Sequence, residues 1–174
     1  MDAREQTYEQ EQMNAAQRLW RFATTVYAAP GVAAACLGAQ NDWSVDVNLM
    51  LYVSWCASEA RHLKGDDILF AQERCRPWRE QVILPLRQQR MAWRGQEAFA
   101  AEYAGSKTLE LQAERTQLNF LASLVEEGSA GHEAKAAATV EDTSLLRGHF
   151  QILAVHYGLD EDVFGPFLVA LSAA

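Results

Sequence analysis

Long hydrophobic runs are missing from this chain. Its most apolar stretch, Val47 to Ala57, is about 11 residues, short of the ~18 a membrane-spanning helix needs and well matched to a core helix. Cysteine is scarce: Cys36, Cys56 and Cys75 are odd in number and widely spaced, and no C-x-x-C occurs. That excludes a zinc knuckle or thioredoxin-type motif and points to reduced, buried thiols in a cytoplasmic protein. With 10 glycines and 4 prolines in 174 residues, the chain is unlike a disordered or low-complexity one over most of its length. Apolar–polar alternation bounded by turn signals is absent, so no strand is expected. There is no G-x-S-x-G, no phosphate-cradling G-x-x-x-x-G-K-[ST] and no G-x-G-x-x-G, and Ser54 and Ser58 fall in mid-helix, so a serine nucleophile has no support. Positive charge is also short. The net charge of −8 argues against non-specific nucleic-acid binding, which needs clustered Lys and Arg. The opening MDAREQTYEQEQM lacks an apolar signal-peptide core.

What is present is helical periodicity. The expected fold is all-α, a single domain over 1–174 built as an irregular bundle of seven or eight helices, with 1–6 frayed and 128–139 a mobile connection. A first helix is expected over 7–28, broken by Ala29-Pro30-Gly31, then a short one of small residues from Val32 to about Gln40. Ser44 is the expected N-cap of a third helix ending near Leu63, with Asp46 as a first-turn acid. Asp66 is the expected cap of a fourth helix reaching Cys75, and Pro77 the start of a fifth, kinked or split at Pro85. Gly95, Gly105 and Ser106 suggest breaks around a short helix over 99–103, before a strong amphipathic helix over 108–127. The last two helices are expected over 141–157 and 160–173, separated by Gly158, with Asp160 as a cap.

Charge is uneven. Residues 61–94 carry eight basic and four acidic side chains, residues 95–174 four basic and twelve acidic. The two halves can pack on each other, or a basic face can meet an acidic partner. Within the basic half, Arg87, Arg90 and Arg94 stand at i, i+3, i+7 with Trp78 and Arg79 upstream, a candidate partner surface. The acid-rich helix around residues 110–127 is the other candidate to pair with this ladder.

A second constellation lies on the third helix. Asn48, Tyr52, Trp55, Glu59 and His62 share one stripe at helical spacing, and each carries a hydrogen-bonding group. Aromatic bodies with polar tips can line a ligand pocket, or they can be packed with their tips satisfied. Asn48 is the least expected of the five, because asparagine is a poor residue for a helix interior. In a pocket His62 would be the acid–base group, oriented by Glu59. Glu59-x-x-His62 is a lone E-x-x-H pair, where di-iron bundles use two, so no metal and no cofactor is expected. Asp66-Asp67 reads as helix-start acids, and His149 and His156, two turns apart, are too distant to share one ion.

Three motifs in order, LWRFATTVYAAPGV (Leu19–Val32), DVNLMLYVSW (Asp46–Trp55) and WREQVILPLRQQR (Trp78–Arg90), resemble a family of small uncharacterised proteobacterial proteins catalogued as a domain of unknown function. The resemblance covers roughly the first 90 residues. It implies a soluble, helical, cytoplasmic protein of a Gram-negative bacterium, and it transfers no catalytic residue. From the residues themselves, the leading functional reading is a non-enzymatic binding or adaptor protein, with a protein partner or a second copy of the chain and no nucleic acid or membrane. The alternative is a small-molecule binder or enzyme with its pocket at the Asn48–His62 stripe.

Overall fold

The computed structural model describes residues 13–128, 132–133 and 144–173. The expected mobile connection over 128–139 and frayed 1–6 lie, apart from Gly128 and residues 132–133, outside these residues. The architecture is all-α. Helix α1 (Ala15–Ala28) starts at a capping box: the Asn14 side chain accepts from the Gln17 N–H at 2.9 Å and the Gln17 side chain from the Asn14 N–H at 3.0 Å. Its buried residues Ala15, Leu19, Ala23 and Val26 recur at helical spacing and form the face turned to the core. The Pro30-Gly31 turn, with Gly31 at φ +84°, redirects the chain into α2 (Val32–Trp43).

Helix α3 (Val47–Ser58) is buried on all sides from Asn48 to Cys56, so it is the axis around which the rest assembles. Its cap differs from expectation. Ser44 is the left-handed C-cap of α2, and Asp46 is the N-cap, accepting from the Asn48 N–H at 3.0 Å and the Leu49 N–H at 3.4 Å. Both residues suit a cap, and the one whose N–H neighbours continue as helix wins. The far end also differs. The helix stops at Ser58, short of Leu63, because Ala60 adopts φ +55°. Residues Arg61–His62 (β1) then pair antiparallel with His132–Glu133 (β2), a two-residue ladder that no alternation pattern announces. No glycine or proline marks this break; the partner strand, 70 residues on, makes it.

Helix α4 (Gly65–Trp78) is capped by Asp67, where Asp66 was expected: the Asp67 carboxylate accepts from the Lys64 N–H at 2.8 Å. Pro77 lies inside this helix and does not begin a new one. The chain passes through a π-turn (Arg79–Ile83) into α5 (Leu84–Trp93), with Pro85 in its first turn. The wider turn accommodates a residue that has no N–H to give the ladder and whose ring would press on the preceding turn. After Gly95 and a 3₁₀ turn (Glu97–Phe99), α6 (Ala100–Glu126) runs unbroken for 27 residues, about 40 Å, through Gly105 and Ser106 where breaks were expected. Helix α7 (Ser144–Tyr157) and α8 (Gly165–Ser172) close the bundle. Between them Asp160 caps a 3₁₀ turn (Glu161–Phe164), and Phe150 packs against Phe164 and Phe167 at ring distances of 5.1 and 5.3 Å.

The long α6 crosses the molecule. It packs on α1, α3, α4 and α5, and its C-terminal Glu126 accepts from the Ala15 N–H at 3.0 Å, tying it to the start of α1. The buried residues form one connected core from α1 to α8. No single described helix is both long and apolar enough to span a membrane.

Candidate functional site

The stripe read from the sequence is dispersed by the fold. Tyr52 and Trp55 are 0% and 2% exposed and belong to the core, 6.4 Å apart between ring centres. The Tyr52 hydroxyl has no hydrogen-bond partner among the described residues, with the Cys56 thiol as its polar neighbour. Burial drives the Tyr52 hydroxyl far above the ordinary tyrosine range. Glu59 accepts from Arg18 at 2.9 Å and lies 3.9 Å from Arg61, while His62 sits exposed on β1, past the end of the helix. With the helix ended at Ser58, the i, i+3 relation that would aim Glu59 at His62 is lost. No group of three His, Cys, Asp or Glu positioned for a metal ion occurs among the described residues.

Asn48 is the member of the stripe that borders a cleft. It lines a cleft of about 440 Å³ bounded by α1, α2, α3, α5 and α6, within the size range of small-molecule sites. Trp20, Ala23 and Tyr27 from α1, Leu37 from α2, Leu51 from α3 and Leu111 and Leu118 from α6 make its walls apolar. Its charged groups come from α5 and α6, namely Arg87, Arg90, Lys107, Glu110 and Glu114, with Asn48 of α3 beside them, and Thr24 and Gln40 add polar groups from α1 and α2. Next to the cleft, sharing Asn48, Arg87 and Glu114 with it, a small polar chamber of about 10 Å³ lies between Asp46, Asn48, Arg79, Arg87, Glu114 and Gln117, space for about one water molecule.

The ladder of arginines turns inward onto this site. Arg87 donates to Glu110 at 2.7 Å and to Glu114 at 2.8 Å, and Arg90 pairs with Glu110. Arg79 donates to the Ser44 carbonyl at 3.0 Å and stands 3.4 Å from the Asp46 carboxylate. Trp78 donates its indole N–H to the Ala113 carbonyl at 2.9 Å and packs edge-on against Phe120. Of the five residues of the candidate partner surface, Arg94 alone is exposed. The charges shape each other. Burial raises the Glu110 carboxyl, but the Arg90 and Arg87 hydrogen bonds and charges outweigh it and hold the group below the usual carboxylate range. Glu114, with one bond to Arg87, is raised by burial and by the neighbouring Glu110 charge.

Asp46 is the hub behind the cleft. Besides capping α3, it accepts from Gln117 Nε2 at 2.6 Å, and its own N–H donates to the Tyr157 hydroxyl at 3.0 Å. Burial, then the Asp46 charge, pushes the Tyr157 hydroxyl up to about 12. Because Gln117 gives its N–H to a carboxylate, its oxygen must face the other way, and it accepts from Asn48 Nδ2 at 2.8 Å. Asn48 Nδ2 also reaches the Glu114 carbonyl at 3.3 Å. A relay running Asp46–Gln117–Asn48 thus fixes the orientation of the Asn48 amide.

Sequence reasoning found Asn48, Arg87 and Arg90, but in two separate sets. It missed Lys107, Glu110, Glu114 and Gln117 as site residues. Their signal was present: Lys107, Glu110, Leu111, Glu114 and Leu118 recur at helical spacing, but the breaks expected at Gly105 and Ser106 left Lys107 off that helix.

A family model described as "Protein of unknown function (DUF2390)" matches residues 18–121, well over half of the chain, and the chain belongs to that family. The match runs past the three motifs and takes in nearly all of α6, so it includes every residue that lines the cleft. No curated protein and no solved structure matches the chain.

Proposed function

We propose, taking as premise a family that prescribes no activity, that this chain is a non-enzymatic small-molecule-binding protein whose site is the cleft between α1, α3 and α6. The observation that carries this reading is the juxtaposition of an apolar cleft of about 440 Å³ with convergent polar groups that a buried relay holds in place. Specific sites are built this way: apolar walls supply affinity, and a few oriented polar groups supply selectivity. The adaptor reading loses weight beside it, because Trp78, Arg79, Arg87 and Arg90 are engaged within the chain.

Ligand-observed NMR with a library of small aromatic and aliphatic acids, amides and amines tests the proposal. Leu111 and Leu37 line the cleft and are half exposed, so Leu111→Trp and Leu37→Trp fill its mouth without repacking the core. Binders that saturate at one site and are lost in either variant support the reading. Equal binding to wild type and to both filled variants sinks it.

A further inference from the structure

We infer that the cleft selects an apolar molecule that carries an N–H or O–H donor at its inner end and an anionic group at its outer end. The inference rests on the cleft being the ligand site, and it names the class of ligand.

The inner end presents acceptors that lack donors. Asn48 is only 7% exposed, yet its oxygen accepts from no described residue. Both of its N–H groups are directed by acceptors that cannot turn round: Gln117 Oε1, fixed by the Asp46 carboxylate, and the Glu114 carbonyl. The Asn48 oxygen therefore cannot exchange places with the nitrogen and stays an acceptor. It is not among the sealed unpartnered atoms of the interior, so its accessible surface opens onto the cleft and chamber that Asn48 borders. Beside it, Glu114 gives one oxygen to Arg87, and its other oxygen receives no hydrogen bond from a described residue. The fixed Asn48 oxygen calls for a donor from the ligand, since an acceptor held in place and left unpaired is costly, and the more exposed Glu114 carboxylate offers a second acceptor at the same cleft.

The outer end carries an uncommitted cation. Arg87 and Arg90 are balanced by Glu110 and Glu114. Lys107 makes no ion pair with a described residue and rests 5.8 Å over the Tyr103 ring. It lies two turns from Glu114 on α6, about 10 Å along the axis. Donor and anion are thus separated by an apolar body of about that length, against Tyr27, Leu51 and Leu111.

Three probes share one skeleton and separate the terms. The first, 6-aminonaphthalene-2-sulfonate, has a terminal donor and an anion at opposite ends. Its methoxy ether analogue keeps the sulfonate and replaces the N–H donor by an ether oxygen, and 2-naphthylamine keeps the N–H and has no sulfonate. Calorimetric titration of wild-type protein should rank the first probe about tenfold tighter than the ether. In Asn48→Leu the difference between the two should narrow severalfold. In Lys107→Gln the sulfonates should weaken severalfold while the neutral amine is unchanged. Leu111→Trp should weaken all three. If amine and ether bind wild type equally while Leu111→Trp blocks both, the donor is wrong and the site stands. If Lys107→Gln leaves the sulfonates unchanged, the anion is wrong. If Leu111→Trp affects none of the probes, the site itself is wrong. The wild-type comparison of amine and ether needs no variant, so it decides the donor even if Asn48→Leu does not fold.

Discussion

Removing the His149 imidazole should be among the most damaging single changes in this chain. His149 is 1% exposed on α7, and both of its nitrogens are used. Nδ1 stands 3.0 Å from the Val53 carbonyl of α3, and Nε2 accepts from the Leu63 N–H at 2.9 Å. A nitrogen that faces a carbonyl is the donor and one that faces an N–H is the acceptor, so the ring is neutral with its proton on Nδ1. The ring clamps α7 to the central helix and holds the segment leaving β1. In His149→Ala the buried Leu63 N–H loses its acceptor, at about 1–3 kcal/mol, and the Val53 bond is lost, at about 0.5–1.5 kcal/mol. A ring-sized void adds about 1–2 kcal/mol after partial relaxation. The total of about 3–6 kcal/mol corresponds to a fall in Tm of roughly 6–24 °C for a domain of this size. Urea unfolding followed by far-UV circular dichroism measures it. A loss below about 1 kcal/mol would refute the clamp.

The same residue sets a pH dependence. Burial holds the His149 pKa below the ordinary histidine value; the Val53 carbonyl opposes this, and the charge of His62 adds to it. The unfolded chain takes up a proton near pH 6.5, and the folded chain does so only lower. Below that point the unfolded state binds more protons, so stability falls as pH drops from about 6.5 toward the folded pKa and is unaffected above it. The slope contributed by this one proton cannot exceed about 1.4 kcal/mol per pH unit. A protonated ring would also turn a donor toward the Leu63 N–H. Between pH 7 and 5.5, wild type should lose stability more steeply than His149→Phe; equal slopes would remove His149 as the cause.

Three further outcomes follow from other buried groups. Asp46→Ala should cost about 2–4 kcal/mol in urea unfolding, since it removes the α3 cap and leaves Gln117 Nε2 without its acceptor; a loss of only a few tenths would mean water replaces it at no cost. Tyr52→Phe should change stability by less than about 1 kcal/mol in either direction, because the buried hydroxyl meets no oxygen or nitrogen partner and only the Cys56 thiol, a weak one, and a loss beyond about 1 kcal/mol would reveal a stronger bond from that hydroxyl. Cys36, Cys56 and Cys75 are buried, and burial pushes each thiol up to about 12. A disulfide-exchange reagent at pH 8 should therefore react with none of them in native protein and with all three in denaturant; fast reaction of any one in native protein would contradict this burial.

The cleft shows how far residues alone can be read. Asn48 stands out in the sequence because an amide is out of place inside an apolar helix. Its purpose could not be read there, since the answer is Gln117, 69 positions away, and Asp46 behind that. Arg87 and Arg90 stand out as a ladder, but whether they face water or Glu110 depends on how α5 lies against α6. Tyr52 and Trp55 share the stripe with Asn48, yet α3 is enclosed on all sides, and no helical wheel says which polar stripe of an enclosed helix meets a cavity. The break after Ser58 depends on Ala60 taking a left-handed conformation with no glycine to signal it, in support of a strand pair closed by residues far along the chain.

Local physics, then, was determined by the sequence itself. Apolar residues at 3.6-residue spacing dictate helices and Pro30-Gly31 dictates a turn, and the Asn14–Gln17 capping box starts the first helix at Ala15 where a helix from residue 7 was expected, because each acts through neighbours within about four positions. Tertiary structure alone decided which polar groups meet. Burial of apolar surface is non-directional and drives the helices together without naming partners, whereas each buried hydrogen bond needs one particular donor at one acceptor. The Asp46–Gln117–Asn48 relay and the Arg87–Glu114 pair exist because α6 runs unbroken past the start of α3 and along α5, and that placement is a property of the packed bundle.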